Sequence, residues 1–141
     1  MKFSGKTSFR VRYAETDKMG IVYHANYLVW FEVGRSELFR DLNLPYTIFE
    51  EQDLELTIIE ASCRYRQSAH YDDEITVITR VNIFSRKVTF SYLVYRDSTL
   101  LAEGKTVHLF INRQGRVINA HSHPLWQKMQ SAIEKRERED S

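Results

Sequence analysis

Residues 7–13 alternate, with Phe9, Val11 and Tyr13 on one face and Ser8, Arg10 and Arg12 on the other. That period of two marks a half-buried strand. Residues 14–20 are polar and irregular, and Gly20 can adopt turn conformations that other residues avoid. A helical period then begins. Tyr27, Phe31, Gly34, Leu38 and Leu42 follow i, i+4, i+7 spacing, which predicts a helix over 24–42 with Asn26 as its N-cap. Leu28, Val29, Trp30 and Phe39 widen the apolar face far beyond a stripe. The helix is therefore expected to be buried on most sides, with Glu32, Arg35 and Ser36 as a narrow polar ridge. Gly34 costs such a helix about 1 kcal/mol relative to Ala, and close approach to a neighbouring strand would justify it. Asn43, Leu44 and Pro45 stop the helix.

Beyond residue 53 the period is two again. Strands are expected over 54–66, 74–84, 88–95 and 100–111. The phase slips at Ile58 and Ile59, which predicts a bulge or burial on both faces. Residues 85–87 and 97–99 are connectors too short for anything but hairpins. Four sequential strands joined this way form an antiparallel sheet. A short strand over 116–118 and a last helix capped by Ser122 or His123, with Pro124 in its first turn, complete the chain. Residues 134–141 form a charged, solvated tail supported by a Glu134/Arg138 pair. The fold class is α+β, with one sheet covering one very apolar helix. An edge strand and aromatic surface would remain, and a second copy of the chain is the simplest cover.

Composition narrows the function. The 141 residues, with 43% apolar and only 5 Gly and 2 Pro, suit a single domain spanning 1–141. Twenty basic against nineteen acidic residues leave a net charge of +1, which argues against a dedicated nucleic-acid binder. The lone Cys63 has no partner for an internal disulfide and reads as a small packing residue. The first residues lack the apolar core of a signal peptide, and no apolar run reaches the roughly 20 residues of a membrane span. A cytoplasmic location without membrane insertion is expected.

Residues 13–27 carry the candidate chemistry: a carboxylate, Asp17, in an irregular loop, then Gly20, His24 and the start of an apolar helix. A helix N-terminus offers unpaired backbone N–H groups and a partial positive charge that can hold an oxyanion. Asp17, facing the same spot, could attack a carbonyl carbon or deprotonate a water. The plainer reading makes Asp17 and Asn26 turn and cap residues and His24 a surface residue.

The segment RYAETDKMGIVYHANYLVWFE, residues 12–32, resembles the signature loop and helix of the hot-dog-fold acyl-CoA thioesterases. The similarity is greatest to the 4-hydroxybenzoyl-CoA thioesterase-like branch, which includes small bacterial thioesterases encoded beside the Tol–Pal genes. YDDEITVITRV and SRKVTFSYLVYR resemble the next strands of that family, and the likeness spans roughly residues 5 to 130. It implies a long central helix wrapped by a five- to six-stranded antiparallel sheet, a C-terminal helix, and assembly as a homodimer or homotetramer. It implies acyl-CoA thioester hydrolysis with Asp17 as nucleophile or general base. The oxyanion would be held near Tyr23 and His24 by the His24 backbone N–H, with the His24 ring placed to assist. Asn26 and Tyr27 at the helix start are candidate substrate-binding residues. Ser85, Arg86 and Lys87 match the segment that contacts coenzyme A phosphates, although they also read as a charged hairpin turn. Coenzyme A enters as part of the substrate, and no separate cofactor or metal is implied. Many relatives carry Asp where this chain has Glu15, which touches the loop's shape more than the role of Asp17.

Two alternatives stay open: a hot-dog dehydratase or hydratase on acyl thioesters, and a non-catalytic acyl-CoA binder. His121 and His123 are a weak metal signal.

Overall fold

The computed structural model describes residues 1–140. Five strands form one antiparallel sheet: β1 (Lys2–Arg10), β2 (Glu55–Tyr65), β3 (Glu74–Ile83), β4 (Lys87–Arg96) and β5 (Thr99–Ile111). Three helices accompany it: α1 (Asn26–Asp41), α2 (Tyr46–Glu51) and α3 (Pro124–Asp140).

The strand order is β1-β3-β4-β5-β2. The two hairpins, with connectors at 84–86 and 97–98, are therefore as expected, but β2 does not pair with its successor. It pairs with the long β5, and the 66–73 segment carries the chain back across to β3, whose other side takes β1. β1 and β2 are the edges. The register shift between Ile58 and Glu60 is the expected bulge. β1 begins five residues earlier than its pattern shows, because Gly5 and Thr7 are too small to signal an inward face. A Cβ on Gly5 would lie 2.9 Å from Leu38 Cδ1.

α1 crosses the inner face of the sheet. Phe31 stacks on Tyr92 with ring centroids 4.3 Å apart. Phe39 packs edge-on against Phe49 and Phe90. Gly34 sits over Thr79 and Val77, so its lack of a side chain does permit close helix–strand contact. Gly104 of β5 lies beneath the Phe31 ring for the same reason.

Several expectations about the helices are corrected. Asn26 is the first helical residue, not the N-cap; Ala25 takes that position without a side-chain cap. The supposed polar ridge is split, since Arg35 is buried while Leu28, Val29 and Val33 are exposed on the outer side. Within one chain α1 is thus not buried on most sides. α1 ends at Asp41, with Asn43 in the left-handed region just beyond, and Pro45 is the N-cap of α2. The expected strand at 116–118 shrinks to a single bridge between Ile111 and Val117. His123, rather than Ser122, caps α3: its Nδ1 accepts the Leu125 N–H at 3.1 Å. The charged run continues the helix to Asp140, past the last buried residue, Ile133.

Candidate active site

The loop between β1 and α1 is built around Glu15. Its carboxylate is buried and accepts the Arg12 N–H at 2.8 Å and the Trp30 indole N–H at 2.8 Å. Its backbone carbonyl accepts the Tyr23 N–H and the Asn26 side-chain amide, both at 2.9 Å. One residue therefore ties the loop to the first two turns of α1. The plainer reading of Asn26 is half right, since it fixes the helix start by reaching back to the loop instead of capping.

From that anchor the chain forms a tight turn over 17–21. The Asp17 N–H donates to the Ile21 carbonyl at 2.8 Å, and Gly20 takes φ of 78°, a conformation natural to glycine. Asp17 Oδ1 accepts the N–H of Met19 at 2.8 Å and that of Ile21 at 3.4 Å. Oδ2 has no partner among the described residues. Asp17 is thus a turn residue, and it also presents an open carboxylate oxygen on an exposed loop.

After the turn, Ile21 bridges to His70 and the Val22 N–H donates to the Ala69 carbonyl. Tyr27, buried in the first turn of α1, accepts the Ala69 N–H at 3.2 Å. Tyr65, at the end of β2, donates to the His24 carbonyl at 2.9 Å. Tyr65 also meets the rings of His24 and Tyr27 edge-on. Burial pushes the Tyr65 hydroxyl up to about 12 and raises that of Tyr27, so both stay protonated near neutrality. The His24 N–H finds no acceptor among the described residues.

These contacts enclose a cleft of about 350 Å³ lined by Asp17, Tyr23, His24 and Tyr27 on one side and Tyr65 and residues 66–68 on the other. Four of the candidate residues therefore meet. Asn26 stands behind them as a positioning residue. Ser85, Arg86 and Lys87 do not join: they occupy the β3–β4 turn and the first position of β4, at the opposite end of the sheet. At about 3.3 Å per residue, ten residues of β3 separate the two places by roughly 30 Å.

Tyr65 and residues 66–68 escaped the sequence reading. Their only signal was a tyrosine at a strand end, and no periodicity could tell that β2 lies far from β3 in the sheet. The His121–His123 pair is otherwise engaged. His123 caps α3 through Nδ1 and meets the Gln52 carbonyl through Nε2, while His121 packs on Trp126. No helix is long and apolar enough to cross a membrane among the described residues.

Known proteins resemble this chain in sequence and fold. The family model of the thioesterase-like superfamily matches residues 11–134. A putative acyl-CoA thioesterase of Bacillus subtilis, YneP, is 35% identical over 111 residues, covering 77% of this chain and 80% of that protein. The acyl-CoA thioesterase YbgC of Haemophilus influenzae is 35% identical over 96 residues, covering 67% of this chain and 71% of its own. Among solved structures, a DHNA-CoA thioesterase from Staphylococcus aureus superposes with a TM-score of 0.84 at 27% identity, covering 98% of this chain and 95% of that one. The chain belongs to the thioesterase-like superfamily, and its architecture is the hot-dog fold of the acyl-CoA thioesterases.

Proposed function

We propose that the chain hydrolyses an acyl-CoA thioester to the free acid and coenzyme A, with Asp17 as the reacting carboxylate. The observation that carries this is the cleft itself: an open carboxylate oxygen and an unsatisfied N–H at His24, beside a helix start, on one 350 Å³ surface. The names of the relatives supply the substrate class.

In this scheme the thioester carbonyl oxygen lies against the His24 N–H and the positive end of α1. Asp17 either takes a proton from water as hydroxide adds to the carbonyl carbon, or adds itself. The tetrahedral oxyanion then collapses and expels the coenzyme A thiolate. In the second route water cleaves the resulting acyl–aspartyl anhydride. Tyr23 and the His24 ring flank the reacting group, and Tyr27 shapes its seat.

The distance to Ser85–Lys87 is bridged by a second copy of the chain. β2 is an open edge, and the Arg86 carbonyl accepts the Phe110 N–H, which places the turn beside the 55–56 end of β2. Antiparallel pairing of two β2 strands would set the Tyr65 end of one chain, with its cleft, against the other end of the partner. The partner's turn would then hold the coenzyme A phosphates.

The test is a panel of acyl-CoAs assayed for free thiol. Wild type releases thiol, and Asp17→Asn loses at least about 100-fold in kcat/KM without loss of thermal stability. Near-full turnover by Asp17→Asn rejects the assignment. A single turnover in oxygen-18 water separates the routes: label found in the Asp17 carboxylate marks the anhydride.

A further inference from the structure

Tyr65 lines the Asp17 cleft, yet none of the catalytic steps above uses it. It is the last residue of β2 and stands across the cleft from Asp17. The sheet fixes it firmly. Tyr65 pairs with Ala102 of β5, and the N–H groups of Arg66 and Gln67, next in the chain, both donate to the Leu101 carbonyl, at 2.8 and 3.1 Å. A side chain on a clamped strand is held more precisely than one on a loop.

The His24 backbone needs such a support. His24 lies two residues ahead of α1, where the helical ladder has not yet begun. The Tyr23 N–H donates to the Glu15 carbonyl, and the Tyr23 carbonyl accepts the Asn26 N–H, both at 2.9 Å. Those bonds hold the chain on the near side of His24. On the far side the His24 carbonyl accepts two donors: the Tyr27 N–H at a long 3.3 Å, and the Tyr65 hydroxyl at 2.9 Å. Tyr65 gives the shorter bond, and it alone of these partners ties the turn to the sheet. Its ring meets that of His24 edge-on, with centroids 6.2 Å apart at 88°, and that of Tyr27 at 5.1 Å and 84°.

The hydroxyl is equipped to donate. Cys63, two residues back on the same strand, lies within hydrogen-bond reach of it. Desolvation pushes the Cys63 thiol up, so it carries its proton and can donate S–H to the Tyr65 oxygen. The phenolic proton is then left for the His24 carbonyl.

We propose that Tyr65 is a positioning residue for thioester hydrolysis: its hydroxyl, bonded to the His24 carbonyl, keeps the His24 N–H aimed at the oxygen of the reacting carbonyl. This role rests on the hydrolase reading. It moves no proton and makes no bond. Loss of one oxyanion donor costs about 10²–10³ in kcat. Loosening such a donor costs part of that, and the cost falls on kcat because the charge it meets develops only in the transition state.

The test is Tyr65→Phe, which keeps the ring and removes only the hydroxyl. With an acyl-CoA that wild type hydrolyses, kcat should fall at least about fivefold while KM stays within about twofold. In isotope-labelled protein the His24 carbonyl carbon should move upfield, since it loses its shorter hydrogen bond. A hydroxyl with a purely structural role would lower the melting temperature and leave kcat alone. Wild-type kcat in Tyr65→Phe, a loss that appears in KM instead, or an unmoved His24 carbonyl signal would each overturn the proposal. Failure of the hydrolase reading looks different. Full turnover by Asp17→Asn rejects that carboxylate and leaves the Tyr65 result standing, whereas a wild type that releases no thiol from any acyl-CoA rejects both.

Discussion

Replacing Glu15 with Gln would turn one of two acceptor oxygens into an NH2 group facing a buried N–H donor, either that of Trp30 or that of Arg12. Orphaning such a donor costs about 1–3 kcal/mol, so urea unfolding of Glu15→Gln should show a loss of that size. An unchanged midpoint would show that the loop is held by other contacts. The same residue marks the limit of reading single residues from sequence. The place of Asp17 as a turn residue ahead of the helix start was legible from the glycine and the apolar run that follow it, while its chemistry was read from the resemblance of residues 12–32. Glu15 was legible only as part of the loop, since nothing in sequence reveals that Trp30, fifteen residues on, donates to it. His108 gives a second prediction at this scale. Burial first, and Arg35 nearby, push its pKa down from 6.5 to about 4. Between those values the unfolded chain binds a proton that the native state refuses. Stability should therefore fall as pH drops from about 6.5 to 4, by up to about 3 kcal/mol. Denaturant titrations at pH 7 and 4.5 should show His108→Asn with a shallower decline than wild type; parallel declines would assign the effect to other groups.

Gly34 shows how an element records its neighbours. A Cβ there would run into the Thr79 hydroxyl and approach Val77 Cγ1 to 3.0 Å. Gly34→Ala should gain up to about 1 kcal/mol of helix propensity, yet lose about 1–3 kcal/mol to overpacking. The expected net is a lower melting temperature, and a higher one would mean that β3 gives way. Elements with a strong period were legible for this kind of reason: α1 and β2 to β5 were expected within a few residues of where they lie, bulge included. Two kinds of information were not. α2 follows directly on Pro45 and is only six residues long, too short for a helical period to show. The pairing of β2 with β5 depends on which non-local partner satisfies its edge, and alternation within a strand carries no record of its neighbour.

At the scale of the molecule, the surface that one chain leaves open is the informative part. Leu28, Val29 and Val33 on α1 and Ile58 and Ile59 on the edge strand β2 are all more than a third exposed. A long apolar edge of this kind is normally covered. Self-pairing through β2 would cover it, and it would also unite Asp17 of one chain with the 85–87 turn of the other. Ile59→Lys, a charge placed on an exposed bulge, should therefore yield a folded chain of half the wild-type mass by light scattering. Complementation then tests whether the site is shared. Asp17→Asn lacks the reacting carboxylate, and an Arg86→Ala, Lys87→Ala double variant lacks the proposed phosphate grip. Each should be poor alone at acyl-CoA concentrations below KM. Unfolded together and refolded as a mixture, they should form heterodimers in which one of the two clefts has its own Asp17 and an intact turn from the other chain. Activity above the mean of the two separate variants is expected. If mixing restores nothing while each variant still dimerises, the turn serves no cleft across the interface, and coenzyme A must be held by residues beside Asp17 itself, with Arg66 the nearest cation lining that cleft.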